Sequence, residues 1–251
     1  LHAYHPFVWN SESKKKAQVH CTIICFAAHD DNTGKMLFFE NENPQQVNSI
    51  SPYLRDEETI LVTATKAPIC NVPPTGIGNK PIDGGFFLFK PAEKKAFLAK
   101  EPNAEPYFME WYGADELIKG NRRYFLWLSK CSPAVLKKLP LCRERIEAVR
   151  NYRSKSTDEG TRKLSNFPTR FHVTNIPTTD FIVIPEVTSE NRKYIPMEYV
   201  SIESAKHKLF SNLVKLMPNA NLYHFGVLQS YIHMIWTKGI CGYKDYRPRY
   251  S

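Results

Sequence analysis

The sequence lacks long hydrophobic runs, paired cysteine motifs and signal-peptide features. No stretch approaches the ~18 consecutive apolar residues that a membrane-spanning helix needs. The six cysteines include no C-x-x-C pair and no zinc-finger spacing, which excludes the common structural zinc sites. Several cysteines lie inside apolar runs, as free thiols do in a reducing compartment. We therefore expect a cytoplasmic protein with no membrane partner and no structural metal.

Recognisable catalytic motifs are also missing. The eight histidines are scattered, neither H-x-E nor H-E-x-x-H occurs, and no nucleophile–base set stands out. Gly76-Ile77-Gly78 is a lone G-x-G without a following helix. Residues 71–74, N-V-P-P, resemble the Asn-Pro-Pro-aromatic loop of amino-methyltransferases, but Thr75 stands where a ring would stack on the target base. We predict no catalytic residue in this chain, which disfavours the alternative of a complete small hydrolase.

Positive charge is abundant and is concentrated in one segment. The 251 residues are 42% hydrophobic and 24% charged, as in ordinary globular proteins, and the net charge is +9. Residues 119–170 carry 14 Lys and Arg against 4 Asp and Glu, so this segment has a net charge of +10 and holds the whole excess. Such a segment suits a nucleic acid, although a solvated helix with basic loops would give the same count. Within it, Arg162, Lys163 and Arg170 are candidate phosphate contacts.

The last ten residues mix basic, aromatic and acidic side chains. Lys244, Arg247 and Arg249 alternate with three tyrosines, and Asp245 is the single acid. Lys and Arg neutralise phosphates, Asp accepts a hydrogen bond from cytosine, and Arg binds guanine. Asp245 and Arg247 are therefore candidates for reading both halves of a C·G base pair. A solvated basic tail that reads no sequence is the alternative.

A second polar cluster contains Glu190, Asn191, Arg192 and Lys193. These residue types contact base edges or phosphates in DNA-binding proteins. A charged turn before a strand would have the same spacing, so both interpretations stand.

Hydrophobic periodicity predicts a mixed α/β chain. The nearly continuous apolar run at residues 17–28 predicts a strand that is covered on both faces and forms a hairpin with the strand before it. Pro91 and Ser132 mark helix starts, with proline in the first turn and serine as N-cap. Two further helices are predicted. One runs from Pro140 to about Tyr152, and its exposed arginines would be Arg143, Arg145, Arg150 and Arg153. The other lies at residues 226–240 and has a buried apolar stripe.

Short runs spread along the chain match one protein family in order and at similar spacing. They are S-P-Y-L at 51–54, N-V-P-P at 71–74, F-L-W-L at 125–128, R-I-E-A-V-R at 145–150, P-E-V-T-S-E-N-R-K-Y-I-P at 185–196, P-N-A-N-L-Y-H-F-G at 218–226 and R-P-R-Y-S at 247–251. These runs resemble the MmeI-like type II restriction–modification enzymes. That family joins a nuclease, an adenine methyltransferase and a target-recognition domain in one polypeptide.

The resemblance implies a domain division, a cofactor and partners. Residues 1–45 would be the closing strands of a class I methyltransferase fold, and residues 46–251 a sheet-containing DNA target-recognition domain with the buried helix near 226–240. The chain would be a C-terminal fragment of an adenine-N6 DNA methyltransferase. It would act on double-stranded DNA together with the upstream methyltransferase domain of the same polypeptide. The cofactor of the whole enzyme would be S-adenosylmethionine, but its binding loop would lie upstream, so this segment should bind no cofactor.

The resemblance also assigns residue roles. Glu190, Asp245 and Arg247 fall on positions similar to the specificity determinants of the family, and Asn212 and Leu213 match two more by spacing. Phe7 stands where the family has an aromatic ring beside the flipped adenine, although core packing would also explain a phenylalanine there. The alternative function is a basic module that binds nucleic acid or protein without base specificity. The candidate phosphate contacts from all of these observations are Arg162, Lys163, Arg170, Arg192, Lys193, Lys244 and Arg249.

Overall fold

The computed structural model describes residues 1–9, 19–28, 34–58, 61–63, 65, 67–244 and 247–250. The chain divides into two compact units, Leu1–Ile69 and Cys70–Ser251. The mixed α/β class is confirmed by the strands and helices of these units. Across the described ranges, no helix has the length and apolar character needed to cross a membrane.

The first unit is built on a four-stranded sheet. Its strands are β1 (His2–Trp9), β2 (Val19–Cys25), β3 (Lys35–Phe38) and β4 (Gln45–Val47), in the spatial order β2-β1-β3-β4. β1 pairs antiparallel with β2 and parallel with β3, so the predicted hairpin is confirmed. A small core of Ala3, Leu37, Val47 and Leu54 covers one face.

β2 has an apolar sequence but lies at the edge of its sheet. Ile23 and Ile24 are 45% and 56% exposed, and Phe26, just after the strand, is 82% exposed. The prediction that this strand is covered on both faces is therefore wrong within this chain. A continuous apolar run indicates that a strand has partners on its faces, but it does not say which part of a polypeptide supplies them.

The second unit contains two further sheets and a terminal hairpin. Their spatial orders are β10-β9-β12-β5, β11-β7-β8-β6 and β13-β14. The strands are β5 (Gly76–Ile77), β6 (Leu88–Phe89), β7 (Phe108–Tyr112), β8 (Arg123–Leu126), β9 (Phe181–Pro185), β10 (Glu198–Val200), β11 (Lys208–Phe210), β12 (Val214–Pro218), β13 (Tyr243–Lys244) and β14 (Arg247–Pro248). The helices are α1 (Pro91–Lys100), α2 (Ala114–Lys119), α3 (Pro133–Leu136), α4 (Pro140–Ser154), α5 (Glu159–Leu164), α6 (Leu222–Leu228) and α7 (Tyr231–Ile240), with a 3₁₀ turn at Pro102–Tyr107.

β9 is a central strand that is buried on both faces. Residues 181–184 each have 0% exposure, and the strand pairs antiparallel with β10 on one side and β12 on the other. Successive side chains point to opposite faces of a strand. The even-numbered residues therefore join a hydrophobic cluster with Met217 and Met234, and the odd-numbered residues join a cluster with Phe210 and Leu216.

The helix predicted at residues 226–240 is present but is divided into α6 and α7. Ser230 has an extended backbone, and its hydroxyl accepts a hydrogen bond from the His233 N–H, so it caps a new helix in the middle of the apolar run. The predicted buried stripe is largely wrong. Met234 is buried, whereas Ile235 and Trp236 are each 54% exposed.

Arg153, which was predicted to be exposed, is 1% exposed on the buried face of α4. Positions 146, 149 and 153 fall on one helical face, so the apolar periodicity that buries Ile146 and Val149 also buries the arginine. Its Nε donates to the Ile82 carbonyl at 2.9 Å. Its terminal nitrogens donate, at 2.8–3.1 Å, to the carbonyls of Pro81, Leu164, Phe167 and Arg170. All five N–H donors of the guanidinium are used.

Arg153→Lys should destabilise the fold by about 2–4 kcal/mol, because lysine has three donors and leaves at least two buried carbonyls unpaired. The free energy of unfolding in urea measures this loss. The matched control is Arg143→Lys on the exposed face of α4, which should change it by no more than about 0.5 kcal/mol. Equal losses in the two variants would contradict the structural role of Arg153.

Candidate nucleic-acid interface

Three distant segments of the second unit meet at Glu186, the residue after β9. The Glu186 N–H donates to the Leu213 carbonyl at 3.0 Å, and the Glu186 carbonyl accepts from the Tyr250 N–H at 2.7 Å. The Glu186 carboxylate oxygen Oε1 accepts from Arg249, at 2.7 Å from Nε and 2.6 Å from Nη2. One residue therefore links the end of β9, the turn between β11 and β12, and the C-terminal strand.

This junction joins the segments on which the sequence places its base-reading candidates. The end of β9 leads to Glu190, the turn contains Asn212 and Leu213, and β14 begins with Arg247. Glu190 and Arg247 are exposed, Leu213 is 53% exposed, and Asn212 is partly exposed. Asp245, the remaining candidate, lies outside the described residues.

The C-terminal strands are held against the chain that leaves β9. β13 and β14 pair antiparallel, with Tyr243 opposite Pro248 and Lys244 opposite Arg247. Arg249 forms an antiparallel bridge with Val187, and the Thr188 N–H donates to the Pro248 carbonyl at 3.4 Å. Pro248 is buried, whereas Lys244, Arg247 and Arg249 are exposed.

Buried groups position the turn at residues 211–213. Its first residue, Ser211, donates from its backbone N–H to the Tyr112 carbonyl at 2.9 Å, and its hydroxyl accepts from the Leu213 N–H at 3.2 Å. Asn79, which is 1% exposed, donates from both its backbone and its side-chain nitrogen to the Phe210 carbonyl, at 2.6 and 2.9 Å. The backbone that presents Asn212 and Leu213 is therefore anchored from two sides.

Gly78 allows the close approach that this anchoring needs. A Cβ atom at Gly78 would stand 2.2 Å from the Ser211 carbonyl oxygen and 2.5 Å from that of Phe210. These distances are far below van der Waals contact, so any side chain would displace the turn. The G-x-G at residues 76–78 thus has a packing role.

The turn at residues 190–193 is exposed and borders an aromatic groove. Arg192 and Lys193 line this groove together with Tyr194, Phe225 and Gln229. The amide of Gln229 donates to the Ile195 carbonyl at 3.1 Å and so fixes one wall. Cations beside an aromatic ring suit a phosphate with an adjacent base or sugar.

Helix α7 supports the end of the C-terminal strand. The Nε2 atom of His233 lies 3.1 Å from the Tyr250 hydroxyl oxygen. Burial raises the pKa of Tyr250 to about 12 and lowers the pKa of His233 below its ordinary value of 6.5. Both groups are therefore neutral at pH 7, and Tyr250 is held by its side chain as well as by its backbone.

Part of the positive charge of residues 119–170 is used inside the unit. Beyond Arg153, Glu116 binds Arg123 through both carboxylate oxygens, at 2.6 and 3.1 Å. On the surface, Lys163 is ion-paired with Glu159 at 2.7 Å. Only part of the positive charge of this segment is therefore both exposed and unbalanced by a neighbouring carboxylate.

Two of the predicted phosphate contacts in this segment are exposed and locally ordered. Arg162 donates to the carbonyls of Ser156 and Thr157 at 2.9 and 2.7 Å. The Arg170 guanidinium carbon lies 5.2 Å from the centroid of the Phe167 ring, a cation–π distance. Each guanidinium retains edges that face solvent.

In the first unit, Phe7 is partly buried on β1 and lies opposite Cys21. Its ring centroid is 6.5 Å from that of Trp9. The register of the β1–β2 pairing shifts between Tyr4 and Phe7, an irregularity that re-aims side chains. Among the described residues, no group of three or more His, Cys, Asp or Glu is placed to hold a metal ion.

The packing and hydrogen-bonding roles of Glu186, Ser211 and Gly78 were not predicted from the sequence. Glu186 carries the one available signal, a carboxylate directly after a strand of apolar residues and proline. Its partners Leu213 and Arg249 are too remote in the chain for periodicity to identify them.

Comparison with known proteins decides the family. The family model described as "MmeI, target recognition domain" matches residues 56–251. The chain belongs to the MmeI target recognition domain family. It is 40% identical over 249 residues to DNA methyltransferase A of Bacillus subtilis (strain 168). The aligned region covers 99% of this chain and 28% of that protein. The family resemblance drawn from the short sequence runs is confirmed.

A solved structure of the type IIL restriction-modification enzyme MmeI in complex with DNA is also similar. Its TM-score is 0.91 at 34% sequence identity, and the match covers 100% of this chain and 33% of that one. The chain therefore spans about a third or less of the length of these relatives.

In this MmeI-family domain, Gly78→Ala should destabilise the fold by about 1–3 kcal/mol, because the new methyl group forces the turn at residues 211–213 away. Gly239→Ala is the matched control, since a Cβ on this α7 glycine meets nothing within 4 Å. The control should stabilise by about 0.5–1 kcal/mol through helix propensity. Thermal unfolding measures both, and a stabilising Gly78→Ala would refute the close approach.

His233→Gln should remove part of the acid sensitivity of the fold. The unfolded chain binds a proton at the ordinary pKa of 6.5, and the folded chain binds it only at a lower pH. Stability from neutral His233 is therefore complete above about pH 6.5 and is lost as the pH falls towards the lowered pKa. The drop in unfolding midpoint between about pH 7.5 and about pH 5.5 should shrink in the variant. An equal reduction of that drop in His172→Gln, which replaces an exposed histidine, would refute the assignment to His233.

Proposed function

We propose that this chain reads a short sequence of double-stranded DNA for an adenine-N6 DNA methyltransferase of the restriction–modification type. The observation that carries the proposal is the junction at Glu186, which joins the candidate base readers to a strand buried on both faces. Base reading needs side chains held on a rigid support. A relative that is a DNA methyltransferase and a similar enzyme solved in complex with DNA support the same function.

The hydrogen-bonding groups of the candidate readers suggest which base each of them would contact. Arg247 would donate to guanine O6 and N7, and Asp245 would accept from the N4 amine of the paired cytosine. Glu190 and Asn212 would read another base pair, and Leu213 would supply an apolar contact such as one with a thymine methyl group.

Exposed cations would hold the phosphates and set the register without reading sequence. We assign this role to Arg162, Arg170, Arg192, Lys193 and Lys244, all of which are exposed. Lys163 can join them only in competition with Glu159, to which it is already paired. Arg249 can join them only in competition with Glu186, to which it is bound.

The first residues would belong to the methyltransferase part of the polypeptide. We propose residues 1–45 as its closing strands and residues 46–251 as the target-recognition domain. The first compact unit extends beyond this boundary to Ile69, because β4 spans Gln45–Val47 and pairs with β3. The exposed apolar side chains of β2 support this division, because a neighbouring part of a longer polypeptide would cover them. Phe7 would then stack beside the flipped adenine. A cytoplasmic location belongs to the same proposal, because bacterial DNA lies there.

S-adenosylmethionine would bind to the methyltransferase part and supply the methyl group. Within the described residues the fit to this cofactor is poor. The only G-x-G, at residues 76–78, packs against the turn at 211–213 and so leaves no room for a cofactor. The loop that would hold the target base for methyl transfer is also incomplete, since Thr75 replaces its aromatic ring. We therefore assign to this chain the binding and orientation of DNA and no step of methyl transfer.

A basic module that binds nucleic acid or protein without base specificity is the alternative. It would need the surface cations but not the ordered junction that connects the reader segments. Its affinity for DNA would fall steeply with salt and would be indifferent to sequence.

The double variant Asp245→Ala, Arg247→Ala in the full-length polypeptide tests the assignment of the readers. We expect the unmodified enzyme to methylate adenines within one short motif, and the double variant to lose or relax a single position of it. Each lost base contact should reduce discrimination by about 5- to 150-fold. The measurement is a genome-wide map of methylated adenines in cells that express each form.

Glu203→Gln is the control, since Glu203 is exposed and paired with Lys206 outside the interface. An unchanged motif in the double variant would show that these residues contact only phosphates or solvent. Absence of adenine methylation by the unmodified enzyme would overturn the proposed function itself.

A further inference from the structure

We propose that one side of helix α7 is a docking surface, and that a part of the same polypeptide outside residues 1–251 occupies it. This surface has a purpose beyond DNA reading, because it would join the second unit to the rest of a longer enzyme. We call it the α7 face, and its members are Tyr231, Ile232, Ile235, Trp236 and Ile240.

The α7 face is a continuous apolar stripe along one side of the helix. With 3.6 residues per turn, its five members project to the same side. Tyr231 and Ile232 are 66% and 78% exposed, and the other three members are also exposed. The opposite side of the helix packs against the unit through Met234 and Thr237, which are both buried. In the described part of the chain, α7 is therefore covered on one side alone.

The composition of α7 is that of a helix covered on both sides. Residues 222–240 include a single charged residue, Lys238, whereas 24% of the whole chain is charged. A surface helix normally carries charged and polar residues on the side that faces water. A helix that is apolar all round is typical of an interior. The α7 face therefore indicates a missing partner rather than a solvated surface.

Neither DNA nor a membrane suits the α7 face. Phosphates require cations, and no member of the face carries a charge. A helix that lies on a membrane surface carries Lys and Arg on its other side. That side of α7 is instead packed against the protein. The chemistry fits an apolar protein surface, on which the rings of Tyr231 and Trp236 would bury the largest area.

The size of the α7 face favours a covalently linked occupant over a second copy of the chain. Its five side chains offer roughly 600 Å² of apolar surface, the size of the largest patch on an ordinary monomer. A stable interface between separate chains buries ~800 Å² on each partner, so this face is small for a dimer. A partner on the same polypeptide needs less area, because its effective concentration is on the order of millimolar.

The relatives of this chain are long enough to contain such a partner. The aligned region is 28% of DNA methyltransferase A and 33% of the MmeI chain, so most of each relative lies outside it. We therefore place the occupant in a further part of the parent polypeptide, and we expect it to present apolar side chains to α7.

The test is hydroxyl-radical labelling of the full-length polypeptide, with the rate at each tyrosine measured by mass spectrometry. Each rate is divided by that of the same tyrosine in the urea-unfolded polypeptide. Tyr152 on α4 is the matched control, since it is 49% exposed and has the same side chain as Tyr231. We expect folding to slow labelling at least about tenfold at Tyr231 and no more than about threefold at Tyr152, because an apolar interface excludes water.

A variant tests the apolar character of the contact. Ile235→Asp places a carboxylate in the docked face, where an unpaired charge is costly, so it should speed the labelling of Tyr231 at least about fivefold. Val135→Asp on α3 is the control at an exposed apolar position, and it should leave that rate within about twofold. If Ile235→Asp unfolds the unit, the rates in the unmodified polypeptide decide by themselves.

Two results would overturn the inference. If Tyr231 in the unmodified polypeptide were labelled as readily as Tyr152, the α7 face would be open to solvent. If Tyr231 were protected but lost that protection on dilution, a second copy of the chain would be the occupant. Neither result depends on methylation, so a failure of the proposed function would be a separate finding.

Discussion

The burial of β9 on both of its faces determines where the candidate interface is built. A shift of one residue along this strand would turn every side chain to the opposite cluster, so the strand has one permitted register. Glu186 follows directly and inherits that fixed position. The turn at residues 211–213 and the C-terminal segment are hydrogen-bonded to Glu186. Their positions are therefore fixed relative to the buried strand that Glu186 follows.

A second constraint comes from Arg153, whose side chain hydrogen-bonds to backbone carbonyls in segments of the fold that belong to no sheet. The connections around residues 81–82 and 164–170 carry buried carbonyls, which need donors wherever they lack a strand partner. Arg153 supplies all five of its N–H groups to them. Gly78 and Asn79, which hold the turn with Asn212 and Leu213, lie just before this connection. The buried arginine therefore stabilises the backbone that supports the turn with these two candidate readers, as well as the interior of the unit.

Local signals in the sequence predicted local structure well. The hairpin of β1 and β2, the start of α1 at Pro91 and the N-cap Ser132 of α3 were all predictable, because each depends on neighbouring residues. The features that were mispredicted depend on distant partners or on competing local chemistry. Arg153 was predicted to be exposed because it is charged, although its position in the helix places it on the buried face. Ser230 was not predicted to cap a helix, because it lies within an apolar run. The partners of Glu186 lie 27 and more residues away, where no periodicity reports them.

The arrangement separates the residues that would read DNA from those that hold the fold. Glu190, Leu213 and Arg247 are exposed, so replacing them should change the pattern of donors and acceptors at little cost in stability. Gly78 and Arg153 are buried, and their replacement would disturb the support of several reading positions at once. Glu186 belongs to neither class, because its backbone hydrogen bonds join three segments of the fold and its carboxylate binds the exposed Arg249. If the exposed residues read DNA as proposed, their substitution should alter specificity one base pair at a time, because the backbone that carries them is held by the buried residues.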